Sequence, residues 1–175
     1  TFLSAGLVEE ARAEARRTLA ALAPFAARGI PILGLEPACL FTLKDEWAAM
    51  LPGETEAVAA SATLLDSFLE SELKAGNADL NGAQLAADVL VHGHCHQKAF
   101  AEFQPTLGLL GRIDGLDAAP IASSCCGMAG SFGYEAENTE VSTAMAELSL
   151  LPAVRQAKPE TRIVATGFSC RHQIQ

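Results

Sequence analysis

Two adjacent cysteines followed at once by a glycine, Cys125-Cys126-Gly127, carry the strongest chemical signal in the sequence. They open the stretch Cys125-Cys126-Gly127-Met128-Ala129-Gly130-Ser131-Phe132-Gly133-Tyr134-Glu135. Neighbouring cysteines make a poor disulfide, because bridging them forces a ring far from normal Cα separations. They make a good metal corner, since two thiolates can be presented to one inorganic centre. The glycines let the backbone come close to a bulky ligand and take positive φ where a turn needs it. Cys39, Cys95 and Cys170 complete a set of five. An odd count with an adjacent pair does not suit a secreted disulfide scaffold. The thiols read as reduced and kept for metal or redox work, which places the chain in the cytoplasm.

Thiolate sets hold iron–sulfur clusters and also structural zinc. Short zinc modules pair ligands about two to four residues apart on one loop. Here only Cys125 and Cys126 are local, and Cys95 and Cys170 come from distant segments. On the residues alone three readings stand: an iron–sulfur cluster, zinc or another single metal, and buried inert thiols. His92, His94 and His96 alternate around Cys95 and would share one face of a continuing strand. Gly93 argues that the strand ends there, which breaks the alignment. His94 and His96 are candidate metal ligands, as is His172, close after Cys170. Each is equally readable as a hydrogen-bonded structural histidine. Lys98 and Arg171 stand near the cysteines, where a cation lowers thiol pKa and tunes a cluster's potential, or is simply a solvated charge. The loop from Gly127 to Gly133 lacks the Lys-Ser/Thr ending of a phosphate-binding loop and the glycine spacing of the dinucleotide fingerprint.

The elements that must position these residues alternate between helix and strand. Residues 7–28 read as an amphipathic helix, with Leu7, Val8, Ala11, Ala15, Leu19, Leu22 and Phe25/Ala26 on one face and Gly29 as its stop. Ile30–Leu35 reads as a short buried strand running into Glu36-Pro37-Ala38-Cys39. Helices are predicted over 40–51 and 54–75, with a short edge strand within 76–84. Ala87–His92 is the next strand and leads to Cys95. Helical segments follow, one of them Pro105–Leu110. Asp117–Ser123 is a strand that delivers Cys125 and Cys126. A helix over 136–157, with Pro152 as a kink, precedes a last strand, Thr161–Thr166, that leads to Cys170. Cysteines beyond strand ends sit where open parallel sheets place their ligands.

The 175 residues are 50% hydrophobic, enough for one core or two small half-domains. A net charge of −9 argues against binding nucleic acid through its phosphates. No apolar run reaches the roughly 20 residues of a membrane span. No basic-then-apolar leader is visible at the start.

The halves echo each other. Helix, apolar strand and cysteine recur over 6–39 and over 134–170. The second half has its own strand-borne cysteines before its helix, and the first opens directly on the helix. The expected division is 1–80, a truncated first half-repeat, and 81–175, a second one, in a piece of a longer protein.

Taken together, Glu36-Pro37-Ala38-Cys39 with Lys44-Asp45-Glu46, His92-Gly93-His94-Cys95-His96-Gln97-Lys98, Cys125 to Glu135, and Ser169-Cys170-Arg171-His172-Gln173 resemble the cysteine-rich CCG domain. That domain occurs in one of the subunits of heterodisulfide reductase and in the iron–sulfur subunit of glycolate oxidase. The strings are most similar to the C-terminal part of FAD-linked oxidases of D-lactate and other D-2-hydroxy acids. The resemblance implies an α/β fold of two Rossmann-like halves, mainly parallel sheets flanked by helices, with cysteines at strand C-terminal ends. It implies that Cys95, Cys125, Cys126 and Cys170 hold an iron–sulfur cluster, a 4Fe–4S cluster in this reading, and that Cys39 closes a first site. The motif often ends in Cys-x-x-Cys, whereas Cys170 is followed by no second cysteine. The implied role is electron transfer from FAD, in an oxidase domain or subunit outside this chain, to a quinone or another acceptor. The implied location is cytoplasmic or peripheral at the inner membrane. Thiol/disulfide catalysis of the heterodisulfide reductase kind and a structural zinc or partner-docking domain are the alternatives.

Overall fold

The computed structural model describes residues 2–175. The chain forms two compact units, Thr1–Leu65 and Asp66–Gln175. Both are α/β with parallel strands, as expected.

In the first unit, helix α1 (Val8–Ala26) buries Ala11, Ala15 and Leu19 from the middle of its expected apolar face, while Leu7, Val8 and Phe25 towards the ends of that face are exposed. Strand β1 (Ile32–Gly34) pairs in parallel with β2 (Ala62–Leu64), Ile32 opposite Ala62 and Gly34 opposite Leu64. β2 lies within 54–75, which the sequence reads as one helix. That span is instead α4 (Glu56–Ser61), β2, then α5 (Leu65–Ala75). The backbone donors and acceptors of β1 need a partner, and Ala62 and Leu64 are buried where they supply one. Between the strands, α2 (Pro37–Phe41) starts at Glu36, whose carboxylate accepts from the Ala38 N–H. A π-helical turn over Thr42–Glu46 carries it into α3 (Trp47–Met50). Leu19, Leu40, Phe41, Leu51, Val58 and Leu64 form this unit's core.

In the second unit, β3 (Gln84–His92) is central, with β4 (Asp114–Pro120) and β5 (Arg162–Ala165) beside it, all parallel. Val91 opposes both Pro120 and Val164, and His92 opposes Ala165. The three C-terminal ends therefore lie side by side. β3 begins only at Gln84, and no strand covers the earlier part of 76–84. β4 starts and stops earlier than expected, closing on Pro120, which an edge strand tolerates. The region beyond it, through Gly130, is irregular.

The helix expected over 136–157 is two: α8 (Thr139–Glu147) and α9 (Leu150–Gln156). Pro152 accounts for the break, because it has no N–H and its ring collides with the carbonyl four residues back, that of Leu148. The remaining helices are α6 (Cys95–Ala99), α7 (Gln104–Leu110) and α10 (Phe168–Ile174). Ile121, Cys126, Met128, Leu150, Ala165 and Cys170 form the core of this unit. No helix among the described residues is long and apolar enough to cross a membrane.

β1 leads to α2, which holds Cys39, and β5 leads to α10, which holds Cys170.

Candidate metal centre

Each thiol of the second unit follows the C-terminal end of a parallel strand. Cys95 opens α6 just past β3, Cys125 and Cys126 lie in the loop after β4, and Cys170 lies in α10 after β5. Side-by-side strand ends bring all four together. Cys125 shares hydrogen bonds with Cys95 and with Cys126, and Cys126 shares one with Cys170. Cys126 and Cys170 are buried, and Cys95 and Cys125 are partly buried. Cys39 lies in the first unit, exposed on α2.

The backbone turns donors toward these sulfurs. The Gly127 N–H donates to Cys125 Sγ over 3.3 Å, and the Ala129 N–H adds a second bond. The His96 N–H serves Cys95 and the Met128 N–H serves Cys126. Such N–H groups favour thiolate over thiol and form an anion-holding concavity. Cys125 is driven well below the usual thiol range, first by its bond with Cys126, then by Cys95 and the two N–H groups, with burial opposing. Cys170 is lowered to about 5, first by its bond with Cys126, with burial opposing and His92 adding to the shift. Cys95 and Cys126 are pushed up, each chiefly by donating to Cys125. Metal binding by these sulfurs would release their remaining thiol protons.

Gly127 takes the positive φ expected of the glycines in this turn. Its φ is +91°, and an added Cβ would lie 2.1 Å from the Ser142 carbonyl oxygen of α8. The glycine admits close approach to a helix backbone, and that contact seats the cysteine pair.

The turn carrying Cys95 is held from several sides. The His94 N–H donates to Thr166 Oγ1 at 2.9 Å and to Gln97 Oε1 at 3.2 Å. His94 Nδ1 accepts the His96 N–H at 3.2 Å and caps α6. Gln97, 1% exposed, also accepts from Thr166 and donates to Thr106 Oγ1 at 3.2 Å and Asp66 Oδ2 at 3.3 Å. Lys98 Nζ donates to the carbonyls of Ser123 at 2.5 Å and Ser124 at 3.0 Å, fastening α6 to the cysteine loop. Burial lowers the Lys98 pKa, and the nearby thiolates act against that.

The histidines divide sharply. β3 stops at His92, so His92, His94 and His96 do not share a strand face. His96 packs edge-on to the His94 ring, with centroids 5.1 Å apart. His172 is exposed on α10, with Nδ1 2.8 Å from the Tyr134 hydroxyl and its ring against Phe168. Arg171 is exposed over the Phe168 ring. His92 is fully buried, and one of its ring nitrogens, Cys126 Sγ and Cys170 Sγ all lie within 4.8 Å of one another. Its signal in the sequence is a lone histidine closing the apolar run Val89-Leu90-Val91.

The donor set fits a thiolate-bound metal centre: four converging sulfurs, N–H groups directed at them, and a buried imidazole nitrogen beside two of them. The sulfur content suits an iron–sulfur cluster or zinc.

No family model and no solved structure matches the sequence. Among curated proteins, it is 32% identical over 164 residues to D-2-hydroxyglutarate dehydrogenase of Escherichia coli (strain K12), covering 92% of this chain and 15% of that protein. It is 29% identical over 150 residues to one of the subunits of anaerobic glycerol-3-phosphate dehydrogenase of the same organism, covering 85% of this chain and 37% of that one. The D-2-hydroxyglutarate dehydrogenase of Pantoea ananatis matches 97% of this chain at 29% identity, over 16% of its own length. The chain spans well under half the length of these relatives. It is therefore homologous to a segment of two kinds of oxidoreductase, the D-2-hydroxyglutarate dehydrogenases and a subunit of an anaerobic glycerol-3-phosphate dehydrogenase.

Proposed function

We propose that this chain is the electron-transfer part of a flavin-linked D-2-hydroxy acid dehydrogenase, with Cys95, Cys125, Cys126 and Cys170 holding an iron–sulfur cluster of 4Fe–4S type. In this reading electrons pass from FAD, in the rest of the protein or in a partner subunit, to a quinone or another acceptor. D-2-hydroxyglutarate is the first substrate to test, because two of the relatives carry it in their names. The observation that carries the proposal is the convergence of four thiols on backbone N–H groups at the C-terminal edge of a parallel sheet. The division into two half-repeats, 1–80 and 81–175, belongs to this reading, with Cys39 the closing cysteine of a first site.

When bound, the cluster would supply reversible one-electron chemistry. The chain's own groups account for the rest. Gly127, Ala129 and Met128 direct N–H donors at sulfur and stabilise anionic thiolates. Lys98 places a cation beside them, and the cores around Leu150 and Ile121 limit water on the inner side.

The test is anaerobic addition of D-2-hydroxyglutarate to the full-length protein, followed by absorption and electron paramagnetic resonance. Substrate should reduce flavin and then the cluster. In Cys126→Ala, flavin reduction should persist while acceptor reduction is lost. Unchanged acceptor reduction in that variant would overturn the proposal.

A further inference from the structure

His92 combines three features that occur together in none of His94, His96 and His172. It is 0% exposed at the end of the central strand. Its Nδ1 lies 2.7 Å from Ser123 Oγ. Its Nε2 is buried and makes no hydrogen bond. Leaving a buried ring nitrogen without a partner is costly, so a group that persists in this state calls for a partner absent from the protein itself.

The surroundings of Ser123 decide which nitrogen carries the proton. The Ser123 hydroxyl donates to the Ile121 carbonyl at 3.4 Å, and Lys98 Nζ donates to the same hydroxyl oxygen at 3.4 Å. Where that hydrogen goes to Ile121, Ser123 Oγ accepts from His92 and Nδ1 is the N–H. Nε2 then presents a bare lone pair. Fixing the tautomer through the far nitrogen is how proteins prepare an imidazole for a metal.

The distance to the sulfurs fits the same role. A ring nitrogen of His92, Cys126 Sγ and Cys170 Sγ lie mutually within 4.8 Å. With metal–nitrogen bonds of about 2.0–2.1 Å and metal–sulfur bonds of about 2.3 Å, a centre held by those sulfurs lies within reach of the imidazole nitrogen. His94 Nδ1 is committed to capping α6, and His172 Nδ1 to Tyr134.

We infer that His92 Nε2 is a ligand of the centre, beside Cys126 and Cys170, with Ser123 holding its Nδ1. The inference rests on the iron–sulfur reading, and it makes the centre one of mixed sulfur and nitrogen ligation.

The test uses the full-length protein prepared anaerobically. Iron and acid-labile sulfide are measured first, then X-ray absorption at the iron edge, and hyperfine spectroscopy of the paramagnetic state with 14N- and 15N-histidine. We expect imidazole scattering from iron and a nitrogen coupling that changes with the isotope. Both should vanish in His92→Cys, which supplies a thiolate and retains iron. Should His92→Cys not fold, His94→Asn, His96→Asn and His172→Asn should each keep the signal. Iron and sulfide without any imidazole signal, or a signal that survives in His92→Cys, overturns the inference and leaves the iron–sulfur reading standing. Absence of iron overturns both.

Discussion

The backbone N–H of His94 donates to the Thr166 hydroxyl oxygen across 2.9 Å, tying the turn that carries Cys95 to the end of the strand that leads to Cys170. Two cysteines far apart in sequence are thereby set by one side chain at a sheet edge. Gln97 completes the arrangement, bonding the same N–H and the same hydroxyl. The positions of the thiols are thus fixed by neutral hydrogen bonds among buried groups, before any metal binds.

Gln97→Ala removes a buried partner shared by His94, Thr166, Thr106 and Asp66. It should cost about 2–3 kcal/mol, because several polar groups lose a bond without regaining water. Chemical denaturation should show the loss in the midpoint, and metal retention should fall in parallel.

Gly127→Ala should be more damaging than its small change in volume suggests. The φ of +91° disfavours any side chain, and the new Cβ would meet a helix carbonyl. A loss of about 3 kcal/mol or more is expected. Gly130→Ala has the same kind of φ, +71°, with open space around it, and should cost far less. Equal destabilisation of the two would contradict the seating contact at Ser142.

The contrast between what is legible in the sequence and what is not follows packing. Val89-Leu90-Val91 reads as a buried strand because a central parallel strand is apolar on both faces. The cysteines at strand ends follow directly, since the chain order of strand and thiol is written in the sequence. β2 is hidden because the alanine-rich run before it keeps a helical period, and only pairing with β1 makes Ala62–Leu64 a strand. The break before Leu150 is half visible, with Pro152 marking the helix but not the exact turn that gives way. Gly127 stands out in the sequence as a point of ligand approach, whereas its close neighbour is Ser142. The difference between His92 and His94 cannot be read from spacing, because it depends on Ser123, far along the chain, occupying one ring nitrogen.

Glu70 supplies a pH dependence away from the thiols. It is 4% exposed and paired with Arg112 at 2.6 Å and Lys74 at 3.1 Å. The Arg112 bond, first among the causes, holds its carboxyl below the usual range against the effect of burial. A depressed carboxyl stabilises the fold above its unfolded pKa, and that stability is lost as pH falls through the lower folded value. The melting temperature should therefore drop on acidification, and Glu70→Gln should flatten that acid limb while lowering stability at pH 7.

Lys98→Met removes the cation that donates to the carbonyls of the cysteine loop. A positive charge beside an anionic centre favours its reduced, more negative state. The reduction potential of the centre should become more negative in the variant, with metal content close to wild type. A potential unchanged within error would assign Lys98 to anchoring the loop alone.

The central claim is that the four thiols of the second unit hold an iron–sulfur cluster. The most direct measurement is iron, zinc and acid-labile sulfide per chain in anaerobically prepared full-length protein and in Cys126→Ala. The account predicts iron and sulfide in near-equal amounts in the wild type, both falling sharply in the variant. Zinc without sulfide in the wild type, or iron and sulfide unchanged in Cys126→Ala, would contradict it.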